Sequence, residues 1–340
     1  MAGLIRPRPT YVGVMDRDPV DGVELRPVRL DEIPVVGELV RRAEAHDGVP
    51  RVLADEELEQ DLTAEHLALE LDTQVAVRAG VVVGWAYLWH PPATARLDRA
   101  ELIGEVDPDH RGQGVGRALL GWSVDRARQR LAGRDHDLPR FLRVGAYDWQ
   151  DDRLRLYQRF GFEVVTWSDE LLRPLDEVPT VPVPDGVSLV PWPDDRDEEL
   201  LDLRNAAFAD HRQSTVVDPE TWDGFVRGHG GRTDLSVIAV DDASGAAIGL
   251  CLNQVYPEDE AVTGRRDAWI ANLATAQSVR GRGVAGAMIG WSLAAFAAAG
   301  YSHAVLEVDT DNPTGAPQLY RRLGFESLHR NLVHERELPA

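Results

Sequence analysis

Residues 280–286 read RGRGVAG, and residues 111–116 read RGQGVG. Each stretch opens on arginine, has glycine at its second and fourth positions, and leads into an apolar segment with helical spacing, 116–132 in one case and 284–299 in the other. The segments in front of them, AELIGEV (100–106) and AWIANLAT (268–275), read as strands. A strand, a glycine loop and a helix in that order make an anion site. The first turn of the helix offers unpaired N–H groups and a partial positive charge. Glycine lets the backbone come close to the anion without a Cβ in the way, and Arg111 and Arg280 add fixed charge. A pyrophosphate fits this description. The Walker loop is excluded, because no Lys-Ser/Thr follows, and so is the dinucleotide fingerprint, whose G-x-G-x-x-G spacing fails in both copies.

Working outward from the loops, the two halves of the chain show the same order of elements. The first half reads strand 22–30, helical patterns at 31–46 and 55–70, a hairpin of TQVAVRAG and VVVGWAYLW, then 100–106, the loop and the helix. RFLRVGAY (140–147), a short helix through 152–160 and GFEVVTW complete it. The second half repeats GVSLVPW, helix 197–209, LSVIAV, AAIGLCLNQV, 268–275, loop, helix, SHAVLEV, helix 314–323 and GFESLHR. Tyr320 in LYRRLGF stands 163 residues after Tyr157 in LYQRFGF. This is an internal duplication of one mixed α/β unit. The reading divides the chain into an arm (1–20), an N-terminal domain (21–172), a proline-rich linker (173–186) and a C-terminal domain (187–340).

Composition narrows the partners. A net charge of −21 disfavours nucleic acid and anionic membranes and favours a cationic small molecule such as an amine. No apolar run is long enough to span a bilayer. The single cysteine, Cys251, forms no internal disulfide, so a cytoplasmic protein, monomeric or homodimeric, is expected. The chain contains no lysine, which excludes Schiff-base chemistry. No His/Cys/Asp cluster has metal-ligand spacing, and no metal is expected.

The loop pattern R-x-x-G-x-G/A, met by Arg111, Gly114 and Gly116 and by Arg280, Gly283 and Ala285, is followed in each half by LY-x-x-φ-G-F, where φ is apolar. Together these motifs resemble the GNAT superfamily, the Gcn5-related N-acetyltransferases, and the duplication resembles tandem members of the mycothiol synthase type. The resemblance implies acetyl-CoA as co-substrate, with its pyrophosphate on Arg280, Gly281, Arg282, Gly283, Val284, Ala285 and Gly286. The corresponding loop of the first half is Arg111, Gly112, Gln113, Gly114, Val115 and Gly116. It also implies that backbone of Leu273, Ala274 and Thr275 holds the pantetheine arm, matched in the first half by Gly104, Glu105 and Val106. Tyr320 is then the acid that protonates the departing thiolate. A thiol has a pKa of about 8.5 and a phenol about 10, so the tyrosine stays protonated and can donate.

Asn312 and Ala316 keep the family's small and polar positions ahead of Tyr320, whereas the first half has Trp149 and Arg153 there. The C-terminal domain is therefore the expected catalytic one. The acceptor is read as a small primary amine that attacks directly in a ternary complex. Candidates to line its site are Asp210, His211, Gln254, Tyr256, Glu258 and Trp269, with Asp259, Glu307 and Asp309 as further candidate bases. Two other readings remain open: mycothiol synthase activity itself, and a non-catalytic sensor of acyl-CoA.

Overall fold

The computed structural model describes residues 20–209, 215–309 and 316–338. In the first half, strands β1 (Val23–Arg26), β2 (Thr73–Arg78), β3 (Val81–Trp89), β4 (Asp98–Val106), β5 (Arg140–Tyr147) and β6 (Glu163–Pro174) accompany five helices. These are α1 (Ile33–Asp47), α2 (Asp55–Thr63), α3 (Leu69–Asp72), α4 (Val115–Ala132) and α5 (Asp151–Arg159). The second half repeats the series as β7 (Val187–Pro191), β8 (Val237–Asp241), β9 (Ala247–Gln254), β10 (Asp267–Thr275), β11 (His303–Asp309) and β12 (Glu326–Leu338). Its helices are α6 (Asp197–Phe208), α7 (Pro219–Arg227), α8 (Glu260–Thr263), α9 (Val284–Ala298) and α10 (Ala316–Arg322).

Local chemistry accounts for many boundaries. Helix α1 has Pro34 in its first turn, buries Val36, Leu39, Val40 and Ala43 on one face, and stops at Gly48 (φ +67°), whose N–H returns to the carbonyls of Glu44 and Ala45. Ala79 and Gly80, both at positive φ, close the tight β2–β3 hairpin. The pattern at 55–70 does not make one helix. The backbone becomes extended at Ala64, and Leu67 turns into the core between α2 and α3. The first strand stops at Arg26, and α7, which the sequence reading did not single out, buries Trp222 and Val226.

All twelve strands form one sheet in the order β1-β2-β3-β4-β5-β12-β6-β11-β10-β9-β8-β7. The halves have exchanged their last strands. β12 pairs antiparallel with β5, β6 pairs antiparallel with β11, and the two exchanged strands pair with each other. Ser168 and Asn331 are register partners at the middle of this arrangement. The halves are thus related by a pseudo-twofold axis normal to the sheet, and their glycine loops lie at opposite ends of it.

Residues 175–186 run along α9. Leu175 N–H bonds to the Ser302 carbonyl, Val181 lies against Gly286 and Gly290, and Pro184 reaches Gly283. A β-carbon on Gly290 would come within 2.7 Å of the Val181 side chain. Helix α9 is apolar all round because the sheet covers one side and the linker part of the other.

Candidate active site

In each half the strand before the glycine loop pairs in parallel with its neighbour only over a short stretch. Asp98–Glu101 pair with Arg140–Arg143, and Asp267–Trp269 pair with His303–Val305, after which each pair of strands parts. The two loops have the same backbone. Gly112 and Gly281 lie at φ +71° and +77°, and Gly114 and Gly283 at +89° and +90°, a region that side chains strongly disfavour. The first helical bonds run from Ala118 to Gly114 and from Ala287 to Gly283, each 3.0 Å. The N–H groups of Val115, Gly116 and Arg117, and of Val284, Ala285 and Gly286, precede those bonds and face the cleft end of their helices.

In the structure the loop arginines are held by protein partners at the ends of neighbouring helices. Arg280 Nη2 donates to the Ala207 carbonyl at the end of α6, at 2.7 Å. Arg111 donates from Nε to the Val106 carbonyl (3.2 Å) and from Nη2 to Asp47 Oδ2 (3.1 Å) at the end of α1. The reason is electrostatic, since the carbonyl end of a helix attracts a cation.

The two clefts differ in three ways. β10 carries an extra residue, Ala271, because Ile270 and Asn272 oppose the adjacent residues Asn253 and Leu252, whereas β3 and β4 pair residue for residue from Trp89–Glu101 to Gly84–Val106. In the first half, a cavity of about 960 Å³ opens between β4, the loop, α4 and α5. Across it the Arg153 guanidinium pairs with Glu105 and reaches the Gly104 carbonyl at 3.5 Å. Ala316 opens α10 where Arg153 stands in α5. Lastly, the Tyr157 hydroxyl donates to the Gly145 carbonyl (3.1 Å), while the Tyr320 hydroxyl makes no hydrogen bond among the described residues. Burial pushes the Tyr320 phenol far above its ordinary range, and the neighbouring Cys251 adds to this, so it remains protonated.

On the face away from α4 and α9, a cavity of about 340 Å³ lies over the exchanged strands. Glu101, Ile103, Arg143 and Gly145 line it from the first half, and Phe208, Glu307 and Asp309 from the second. Ser168 and Asn331 form its floor at the pseudo-axis. Glu307 and Asp309 are the sequence candidates brought together here. Asp259 lies apart, accepting the Val52 N–H at 2.7 Å and so joining the halves.

Gln254 is held at both ends of its amide, donating to the Phe225 carbonyl and accepting from the Tyr256 hydroxyl, each at 3.0 Å, and Glu258 pairs with His229. None of these three acceptor candidates lines the 340 Å³ cavity, nor does Trp269. Asp210, His211 and Asn312 lie outside the described residues. Leu273, Ala274 and Thr275 sit on β10 beyond the bulge, alongside the parting of the strands. Among the described residues no helix is long and apolar enough to cross a membrane. The residue that sequence reasoning missed is Glu170, which faces Glu307 only because the last strands are exchanged.

The sequence matches two family models, an acetyltransferase (GNAT) domain over residues 70–164 and the acetyltransferase (GNAT) family over residues 197–325. It is 30% identical over 319 residues to the mycothiol acetyltransferase of Mycobacterium sp. (strain MCS), covering 87% of this chain and 92% of that protein. Identity to the Streptomyces coelicolor mycothiol acetyltransferase is 29% over 280 residues, 80% of each chain. Among solved structures, a GCN5-related N-acetyltransferase from Sphaerobacter thermophilus superposes with TM-score 0.72 at 24% identity, covering 93% of this chain and 96% of that one. A tandem GNAT protein from the clavulanic acid biosynthesis pathway superposes with TM-score 0.65 at 21% identity, covering 94% and 99%. The chain therefore belongs to the GNAT family, as a tandem two-domain acyltransferase with acetyl-CoA as its co-substrate.

Proposed function

We propose that the protein acetylates the primary amine of a small molecule, by direct attack on acetyl-CoA in a ternary complex, and that the C-terminal half does the chemistry. The observation that carries the choice of half is Arg153. Its guanidinium lies on Gly104 and Glu105, the strand positions that match the pantetheine-binding ones, and the second half has Ala316 instead.

The bulge at Ala271 and a Tyr320 hydroxyl that makes no hydrogen bond among the described residues support the same choice. The helix-terminal N–H groups of Val284, Ala285 and Gly286 hold the pyrophosphate, and the β10 backbone holds the arm. The amine approaches from the cavity between the halves. As the C–N bond forms and the C–S bond breaks, Tyr320 gives its proton to the thiolate.

A second reading is mycothiol acetyltransferase activity, favoured by relatives of that name that match most of the chain. Free thiol released from acetyl-CoA in the presence of an amine panel, which includes the amine substrate of mycothiol acetyltransferase, tests both. Acetyl-CoA binding without thiol release for every amine would leave a sensor and sink the enzymatic reading.

A further inference from the structure

The geometry points to Glu307 as the base that takes the proton from the acceptor's ammonium group, with Glu170 of the other half as the residue that tunes it. This inference rests on the proposed amine acetylation and names a catalytic group for it.

Val305 is the last residue of β11 paired with β10, so Glu307 stands where the two strands part. Alternation along β11 turns Leu306 and Val308 into the core beside Tyr320 and turns Glu307 to the opposite face. There it lines the cavity shared by the halves and is open to it. A nucleophile deprotonated on that side meets a thioester lying between the strands, while the leaving sulfur departs toward Tyr320. The Ser168 hydroxyl donates to Glu307 Oε1 and fixes the carboxylate.

Glu170, buried, is the register partner of Glu307 across β6 and β11. Carboxyls on register partners do not readily carry two charges, and the Glu307 charge raises the proton affinity of Glu170. Burial and this repulsion push Glu170 up to about 7, with Arg265 opposing and Asp267 and Asp259 adding. The protein mass around the cavity desolvates the Glu307 carboxylate, open though it is, and pushes it up with Asp309 against the opposing Ser168 bond. Tyr147 and His329 lie beside the pair, and Glu101 and Arg143 face Glu307 across the shared cavity.

At the matching place the first half has Gly145 opposite Val333, and no carboxyl at either position. Among the described residues, the carboxyl pair at this register occurs in one half alone.

The proton balance is simple. The ammonium loses one proton to the Glu307 carboxylate, leaving a neutral amine. That amine attacks the thioester carbonyl carbon and later loses a second proton. Tyr320 supplies the thiolate's proton and is restored by that second one, so one proton per turnover leaves through Glu307.

The test compares two nucleophiles, glucosamine, mostly protonated at neutral pH, and hydroxylamine, mostly neutral there. Glu307→Gln should slow thiol release with glucosamine by about 10²-fold or more at neutral pH. Hydroxylamine rates and acetyl-CoA affinity should be nearly unchanged. Glu170→Gln should move the acid limb of the glucosamine pH profile to lower pH. Equal losses with both nucleophiles, or an unchanged glucosamine rate, would overturn the assignment.

Carboxyl-carbon NMR of the parent protein gives a check that needs no acceptor. A Glu307 carboxyl titrating in the ordinary carboxylate range overturns the proposal. Failure of the parent to release thiol with any amine would instead count against the proposed function, with the NMR titration still judging the carboxyl pair.

Discussion

Val181 occupies the space that a β-carbon on Gly290 would need: its Cγ2 lies 2.7 Å from that position. The inter-domain segment is therefore seated on a glycine bed along α9. Gly290→Ala should destabilise the fold by about 1–3 kcal/mol through overpacking. Val181→Ala should relieve much of that loss in the double variant. Denaturant midpoints of the four proteins check this, and additive losses would mean that the two side chains do not meet.

Tyr320→Phe keeps the ring that packs edge-on against Phe325 and removes only the donor. The turnover number should fall about 10²–10⁴-fold with acetyl-CoA affinity unchanged. Tyr157→Phe should leave turnover intact and reduce stability by about 0.5–1.5 kcal/mol, because its hydroxyl holds the Gly145 carbonyl. A parent-like rate for Tyr320→Phe would assign the acid to another group.

Arg280 tests how the glycine loop is held. Its bond to Ala207 makes it a brace between loop and α6, so Arg280→Ala should weaken acetyl-CoA binding by loosening the loop. Amide exchange at Val284, Ala285 and Gly286 in the free protein should quicken at the same time. A loss of affinity with unchanged exchange would mean that the guanidinium meets the phosphates directly.

Stability should rise as the solution becomes mildly acidic. Burial raises Asp61 and Asp259 to about 6 and Glu44 and Glu170 to about 7. Their unfolded values lie near ~4, so between there and pH ~7 the folded chain binds more protons than the unfolded one. The sign follows: these four groups penalise the fold above pH ~7 and relieve it as pH falls through that window. Glu32 and Asp234, held low by Arg26 and Arg232, act the other way, but only when pH falls through their depressed values. The urea midpoint should be higher at about pH 5.5 than at about pH 8. The reverse order would show that these carboxyls are not desolvated.

The duplicated loops and the α/β class were legible because they rest on local rules: glycine at positive φ, helical spacing and strand alternation. The place of Tyr320, buried on α10 against Phe325, was legible through its motif. The Glu170–Glu307 pair was not, since residues 137 apart in sequence meet only through a strand exchange that no local pattern encodes. β12 was read only as far as residue 330, yet it runs to Leu338, because its polar residues Arg330, Glu335 and Arg336 find partners on neighbouring elements. Arg280 showed its charge in the sequence but not its partner. Trp222 is 2% exposed in the α6–α7 core, on a helix whose apolar face is set by packing against α6 rather than by any motif.

The strand exchange bears on how such a gene can change. A cut in the 175–186 segment would give two polypeptides, each missing its closing strand and carrying its sibling's. Neither is a heritable module by itself. Without β6, the outer edge of β11 would lie bare beside Glu307 and invite pairing with a stranger. On the proposed division of labour, a first repeat whose cleft is crossed by Arg153 is kept by selection on its neighbour. Its pocket is free to drift while its last strand is not, and comparison of many such genes should find β6 changing more slowly than the walls of the first cleft.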